Sequence, residues 1–141
     1  MKFKILFTII LFIFASLGSA DELRNAVNSK DRSEKNIVRD EFRKPYETLS
    51  FFQLEPNMTI VELSPGGGWY TEILANFVRK SGSLIAAHFS KDSDRAYFRN
   101  SRINFEKKVK ENNLYEKVTV VDLNSELSDP SSVDAVLTFR N

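Results

Sequence analysis

The sequence has no cysteine and a single histidine, His88. The missing cysteine excludes a disulfide-held fold and a lipid anchor attached through a thiol. Together the two shortages argue against a structural zinc site, which draws its ligands from several Cys and His side chains. An excess of one charge is also lacking, since 20 basic residues stand against 19 acidic ones. Such a balance leaves no electrostatic footprint for nucleic acid and no polybasic patch for an anionic membrane. Glycine is scarce, with five in 141 residues, and three of those five are consecutive. Long apolar runs are absent, with one exception at the N-terminus.

That exception has the form of an address. Lys2 and Lys4 precede an apolar run from Ile5 to Phe14 that only Thr8 interrupts, and Gly18-Ser19-Ala20 supplies small residues after it. This is the secretion-signal pattern, with cleavage expected after Ala20. The stretch from Ile5 to Leu17 falls short of the roughly 20 residues that span a bilayer. An uncleaved anchor or a buried N-terminal helix is the plainer alternative. Without residues 1–20, 121 residues remain, enough for one domain, and 18 basic residues face 19 acidic ones. The expected location is periplasmic or secreted, with no stable membrane anchor after cleavage.

Residues 21–44 read as a polar arm, loosely attached or marginally helical. Pro45 suits the first turn of a helix, with Leu49 and Phe52 on one face. Glu55-Pro56-Asn57-Met58 is a turn. Thr59–Leu63 reads as a short buried strand, and the glycines break it. Ile73, Leu74, Phe77 and Val78 then mark a helical face from Trp69 to Lys80, with Gly82 as its terminator. Leu84–Phe89 is a second strand. A helix capped by Asp92 or Asp94 follows, running to about Asn112 with Phe98, Phe105 and Val109 on one face. Val118–Val121 and Ala135–Phe139 are the third and fourth strands, with an open assignment between them. This alternation predicts an α/β fold with a doubly wound, Rossmann-like parallel sheet.

The chemistry concentrates between Glu62 and Thr71. Three glycines between a strand and a helix let the backbone approach a ligand closely. Their amides and the helix N-terminus make a positive patch suited to a carboxylate or another anion. In an open parallel sheet, ligands bind beyond the carboxyl ends of the strands. A Walker A loop requires Gly-Lys-Ser/Thr, which is absent. A dinucleotide fingerprint requires a third glycine where Thr71 stands. Glu62, just before the turn, would repel a pyrophosphate but suits a ligand carrying an ammonium or sulfonium charge.

The run Glu62-Leu63-Ser64-Pro65-Gly66-Gly67-Gly68-Trp69-Tyr70-Thr71 resembles the first motif of class I S-adenosylmethionine-dependent methyltransferases. Its flanks, Pro56 to Val61 and Thr138-Phe139-Arg140-Asn141, are similar to a bacterial group of predicted exported methyltransferases. The resemblance covers Pro45 to Asn141, the N-terminal cofactor-binding half of such a domain. It implies that Glu62 and the glycine amides hold the amino-acid end of the cofactor. It also implies that the end of the second strand contacts ribose and that Asp122 faces adenine. The implied cofactor-binding set is Glu62, Pro65, Gly66, Gly67, Gly68, His88 and Asp122. Ser64 stands where many members have a first glycine, and His88 where an acid usually grips the ribose hydroxyls. No catalytic base is readable, and Arg140 and Asn141 are the candidates for handling an unidentified methyl acceptor.

Plainer readings accompany these. The glycines could serve a tight strand–helix connection, Glu62 could cap a nearby helix, and Asp122 could be a turn residue. His88 could be a satisfied polar group, and Trp69 and Tyr70 could either pack or wall a pocket. The Lys107-Lys108, Lys110 cluster with Glu106 and Glu111 reads as a solvated helix face. A non-catalytic binding or scaffolding domain that keeps this fold is the rival to an enzyme. A fold of this type has about seven strands against the four read here, so an apolar edge would remain unpaired. The expectation is a fragment whose reading frame continues past Asn141.

Overall fold

The computed structural model describes residues 18–139. Arg140 and Asn141 and most of the expected signal segment lie outside the described residues. Four parallel strands form one sheet: β1 (Thr59–Leu63), β2 (Ser83–His88), β3 (Val118–Asp122) and β4 (Ala135–Thr138), in the order β3-β2-β1-β4. Each corresponds to one of the short β-branched or apolar runs of the sequence, as buried parallel strands do. Ile60 lies opposite Leu84 on one side and Ala135 on the other, and Glu62 opposite Ala86 and Leu137. The chain builds outward from β1 through β2 to β3, then returns to place β4 on the other flank of β1. The β1–β4 junction is therefore the point where the winding reverses. The molecule is a Rossmann-like α/β fold with a parallel sheet of four strands, as the alternation of elements predicts.

The helices are α1 (residues 18–27), α2 (Glu34–Ile37), α3 (Asp40–Arg43), α4 (Pro45–Phe51), α5 (Trp69–Val78) and α6 (Ala96–Lys110). No helix among the described residues is long and apolar enough to cross a membrane. Alternate residues of a strand face opposite sides, so Ile60, Leu84 and Leu137 share the face that meets α5. They join Ile73, Leu74, Phe77, Val78 and the α4 residue Leu49 in one core cluster. The opposite face is thinner, with Leu63, Ile85 and Val121 half-buried and Val136 59% exposed.

Three details differ from the sequence-based expectations. Residues 21–44 are not loosely attached: Leu23 and Ala26 enter the core cluster. Arg32, 3% exposed, donates to the Val27 carbonyl (2.6 Å) and forks onto the Asp40 carboxylate at 2.6 and 2.8 Å. A paired guanidinium of this kind ties α1 to α3 with directional bonds. Second, neither Asp92 nor Asp94 caps α6. Its N-cap is Arg95, without a side-chain cap bond, and Ser90 and Ser93 hydroxyls satisfy the preceding amides of Asp92 and Arg95. Third, Gly82 is needed for close approach. A Cβ there would stand 2.6 Å from the Pro56 carbonyl oxygen and against that of Met58, so the turn before β1 and the end of α5 can pass only over a glycine.

Candidate functional site at the reversal of winding

The turn from β1 to α5 adopts left-handed backbone at Ser64 (φ 52°), Gly66 (φ 57°) and Gly68 (φ 78°). Ser64 stands at the position that favours glycine and takes that conformation at a cost of about 1 kcal/mol. The three consecutive glycines have separate reasons. A Cβ on Gly68 would lie 2.9 Å from Phe105 Cε2, so this residue is glycine for packing. Gly66 needs its positive φ but faces open space. Gly67 has neither a left-handed φ nor any atom within 4 Å of a Cβ, so the fold itself does not require glycine there.

The carbonyls of the turn are held in place. His88 Nε2 bonds the Gly66 oxygen (3.0 Å), while Nδ1 accepts from the Phe89 amide (2.7 Å), so the neutral ring carries its proton on Nε2. Burial is the first cause that lowers the His88 pKa and keeps it neutral; the carbonyl of Gly66 and the charge of Glu106 oppose this, and Arg102 adds to it. Lys108 Nζ reaches the Gly67 oxygen (3.1 Å), the Gly68 oxygen (3.4 Å) and Glu72 Oε1 (2.8 Å). Glu72 also accepts from the amide and hydroxyl of Ser33. Burial raises the Glu72 pKa, but its bonds to Lys108, Asn36 and Ser33 outweigh that and leave it lowered. With these carbonyls engaged, the amides of Gly66 and Gly67 donate to no acceptor among the described residues.

Glu62, 2% exposed, lies beneath the turn and accepts from Thr71 Oγ1 at 2.6 Å. Burial raises its pKa from 4.5 to about 7, against the Thr71 bond and the Lys108 charge, which lower it. A site with one buried carboxyl and two amides without acceptors suits a zwitterionic amino-acid group, with ammonium on the first and carboxylate on the second.

A cavity of about 450 Å³ opens there, lined by Glu62, Leu63, Pro65, Gly66, Gly67, Trp69, Tyr70 and Phe139, and roofed by Lys35, Asn36, Arg39 and Arg43 of α2 and α3. It lies at the β1–β4 reversal, where open α/β sheets bind ligands. Trp69 Nε1 donates to the Asn36 carbonyl (2.8 Å), and Arg43 lies 4.7 Å above the Trp69 ring, so the α2–α3 roof is fastened to the start of α5. A second cavity, about 560 Å³, shares Lys35, Gly66 and Gly67 with the first and has Glu72, Tyr97, Asn104 and Lys108 in its wall.

The structure thus brings Glu62, Pro65, Gly66 and Gly67 together on the first cavity and leaves Gly68, His88 and Asp122 outside its lining. The ribose contact expected near His88 is not available to its side chain, because it is fully buried and both ring nitrogens are engaged. Asp122 pairs in register with His88 and accepts weakly from the Asn124 amide (3.5 Å) in a turn. Lys108 is not part of a freely solvated face, since it is the cation of the glycine turn. Its spacing of three from Phe105 places it beside the apolar stripe of α6, a signal that charge counting overlooks.

Fold and site define a parallel α/β protein with an open cavity at its reversal point. No family model matches the sequence, and no curated protein matches it. Among solved structures, the chain is similar to a cyclopropane-fatty-acyl-phospholipid synthase-like protein from Lactobacillus casei ATCC 334, at 18% identity and a TM-score of 0.47. The match covers 84% of this chain and 46% of that one, so the chain spans less than half the length of that protein.

Proposed function

We propose that this chain is the cofactor-binding part of an S-adenosylmethionine-dependent methyltransferase that acts after export. The observation that carries the reading is Gly67. It is a glycine the fold does not need, in the lining of the cavity, where a Cβ would stand in open space. The residues present fit the amino-acid end of the cofactor: Glu62 faces the ammonium and the Gly66 and Gly67 amides face the carboxylate. They do not supply the ribose contact through His88, so that end would rest on other groups. Bound there, S-adenosylmethionine would supply an electrophilic methyl group. The protein's own task is then to hold and orient, since aligned reactants account for much of such a rate.

The proposed export rests on Lys2, Lys4, the apolar run and the small residues before Asp21. The residues of α1 that enter the core, Leu23 and Ala26, lie beyond that cleavage point. The commitment of His88 favours a second reading, a binding domain on this fold without methyl transfer.

Calorimetric titration with S-adenosylmethionine tests the cradle. The unaltered chain is expected to bind, and Gly67→Ala to fold with unchanged stability but bind at least about tenfold more weakly. A folded chain with no binding would refute the cofactor reading. Binding without methyl transfer to any acceptor supports the second reading.

A further inference from the structure

The cavity of about 560 Å³ is walled mainly by one helix. Tyr97, Asn100, Ser101, Asn104, Phe105 and Lys108 of α6 line it, spaced as one stripe of a helix surface. Phe105, 2% exposed, gives the stripe an apolar base. Lys108 and Glu72, also in the wall, neutralise one another at 2.8 Å. The remaining charge in the wall is Lys35, which is exposed. The rest of the stripe is two carboxamides, a hydroxyl and a phenol. The side chains of Asn100, Ser101 and Asn104 make no hydrogen bond among the described residues. Their neighbours on the helix are engaged, Arg99 with the Ser93 carbonyl and Arg102 with Glu106 and the carbonyls of Phe89 and Val121. Asparagine is a weak former of helix interiors, and neither of these two caps or fastens anything. The fold itself gives no reason for them.

We propose that this cavity binds a neutral, polyhydroxylated ligand, a short saccharide, through the polar row of α6. A carboxamide donates from its nitrogen and accepts at its oxygen, and a hydroxyl does both. Sugar hydroxyl groups have the same double character, so the two sets can pair without leaving a polar atom unsatisfied. From Tyr97 to Asn104 the row runs about 10 Å along the helix, at about 1.5 Å per residue. Repeated hydroxyl groups match a row of that length, whereas a planar base has a single edge and meets one amide of it. Tyr97, 74% exposed and edge-on to Phe98 at 5.6 Å, adds an aromatic face for the C–H surface of a pyranose and a hydroxyl for the row. The wall does not call for an anion, because one exposed lysine is largely screened. The proposal does not rest on the cofactor reading, since neither asparagine lines the first cavity.

NMR titration of the nitrogen-labelled whole chain tests this with cellobiose, maltose and diacetylchitobiose, and with glucuronate as a charged control. At least one neutral probe is expected to bind with a Kd of about 10 mM or tighter and to shift the side-chain amide signals of Asn100 and Asn104. Asn100→Ala combined with Asn104→Ala changes two exposed positions to the better helix former. That double variant is expected to fold with no loss of stability and to bind the probe at least about tenfold more weakly. Lys110→Gln, exposed on the same helix and outside the lining, leaves the affinity unchanged. No binding by any neutral probe at that level, undiminished affinity in the double variant, or a preference of about tenfold for glucuronate would overturn the inference. S-adenosylmethionine titrated in parallel keeps the two readings apart. Cofactor binding without saccharide binding sinks this inference alone, and saccharide binding without cofactor binding sinks the cofactor reading alone.

Discussion

Replacing Glu62 by Gln removes a carboxyl whose proton is coupled both to folding and to the proposed ligand. In the unfolded chain Glu62 ionises near 4.5, and in the folded one near 7, because burial raises it. Between those values the folded protein retains a proton that the unfolded chain has released. Stability therefore falls as pH rises through this window, and the ionised group costs about 3 kcal/mol above it. Glutamine keeps an oxygen to accept from Thr71 Oγ1 and carries no charge. The stability difference between Glu62→Gln and the unaltered chain is expected to be near zero at pH 4.5 and about 3 kcal/mol in favour of the variant at pH 8. Urea unfolding across that range measures it. His88 runs the other way: its lowered pKa gives stability that is present above 6.5 and lost on acidification. It is the same in both proteins and cancels in the difference. A cation bound beside Glu62 favours the ionised form, so S-adenosylmethionine affinity should rise by up to about tenfold per pH unit below 7 and level off above it. The variant should show no such rise. A stability difference that stays flat from pH 5 to pH 8 would refute the reasoning.

Two further outcomes follow from the turn. Lys108→Met leaves the buried Glu72 carboxylate without its cation and the Gly67 carbonyl without the lysine's bond, while Gly68 still accepts from the Glu72 amide, and should lower stability by about 3 kcal/mol in urea unfolding; a loss under about 0.5 kcal/mol would contradict the assigned role. Gly68→Ala places a methyl against Phe105 in left-handed backbone and should cost about 2–4 kcal/mol, read as a fall in the thermal midpoint.

The strands were legible because short β-branched or apolar runs bounded by turns leave few alternatives. Thr59–Leu63 matches β1 end for end, and Leu84–Phe89 differs from β2 by one residue at each end. The place of the site followed from the glycine turn and the strand order. The supports of the site did not. Lys108, Glu72 and Ser33 come from three separate helices or their flanks, and only the packing of α6 beside α5 joins them. In sequence, a lysine among lysines and glutamates has the pattern of a solvated face. His88 was placed correctly at a strand end, but its engagement with Gly66 depends on the path of a turn 22 residues away. The packing of residues 21–44 was hidden for a similar reason. Leu23 and Ala26 attach it to the core, the buried Arg32 ties α1 to α3, and Ser33 and Asn36 bond to Glu72 and Trp69, contacts that only the tertiary packing creates.

Gly66 and Gly67 line both the cavity of about 450 Å³ and that of about 560 Å³. The carbonyls of the turn are gripped by His88 and Lys108, so its peptides cannot easily roll over. A Cβ introduced at Gly67 would meet no atom within 4 Å. The protein therefore has a position where the dimensions of its ligand space can be reset by one substitution, while the fold that supports the space stays as it is.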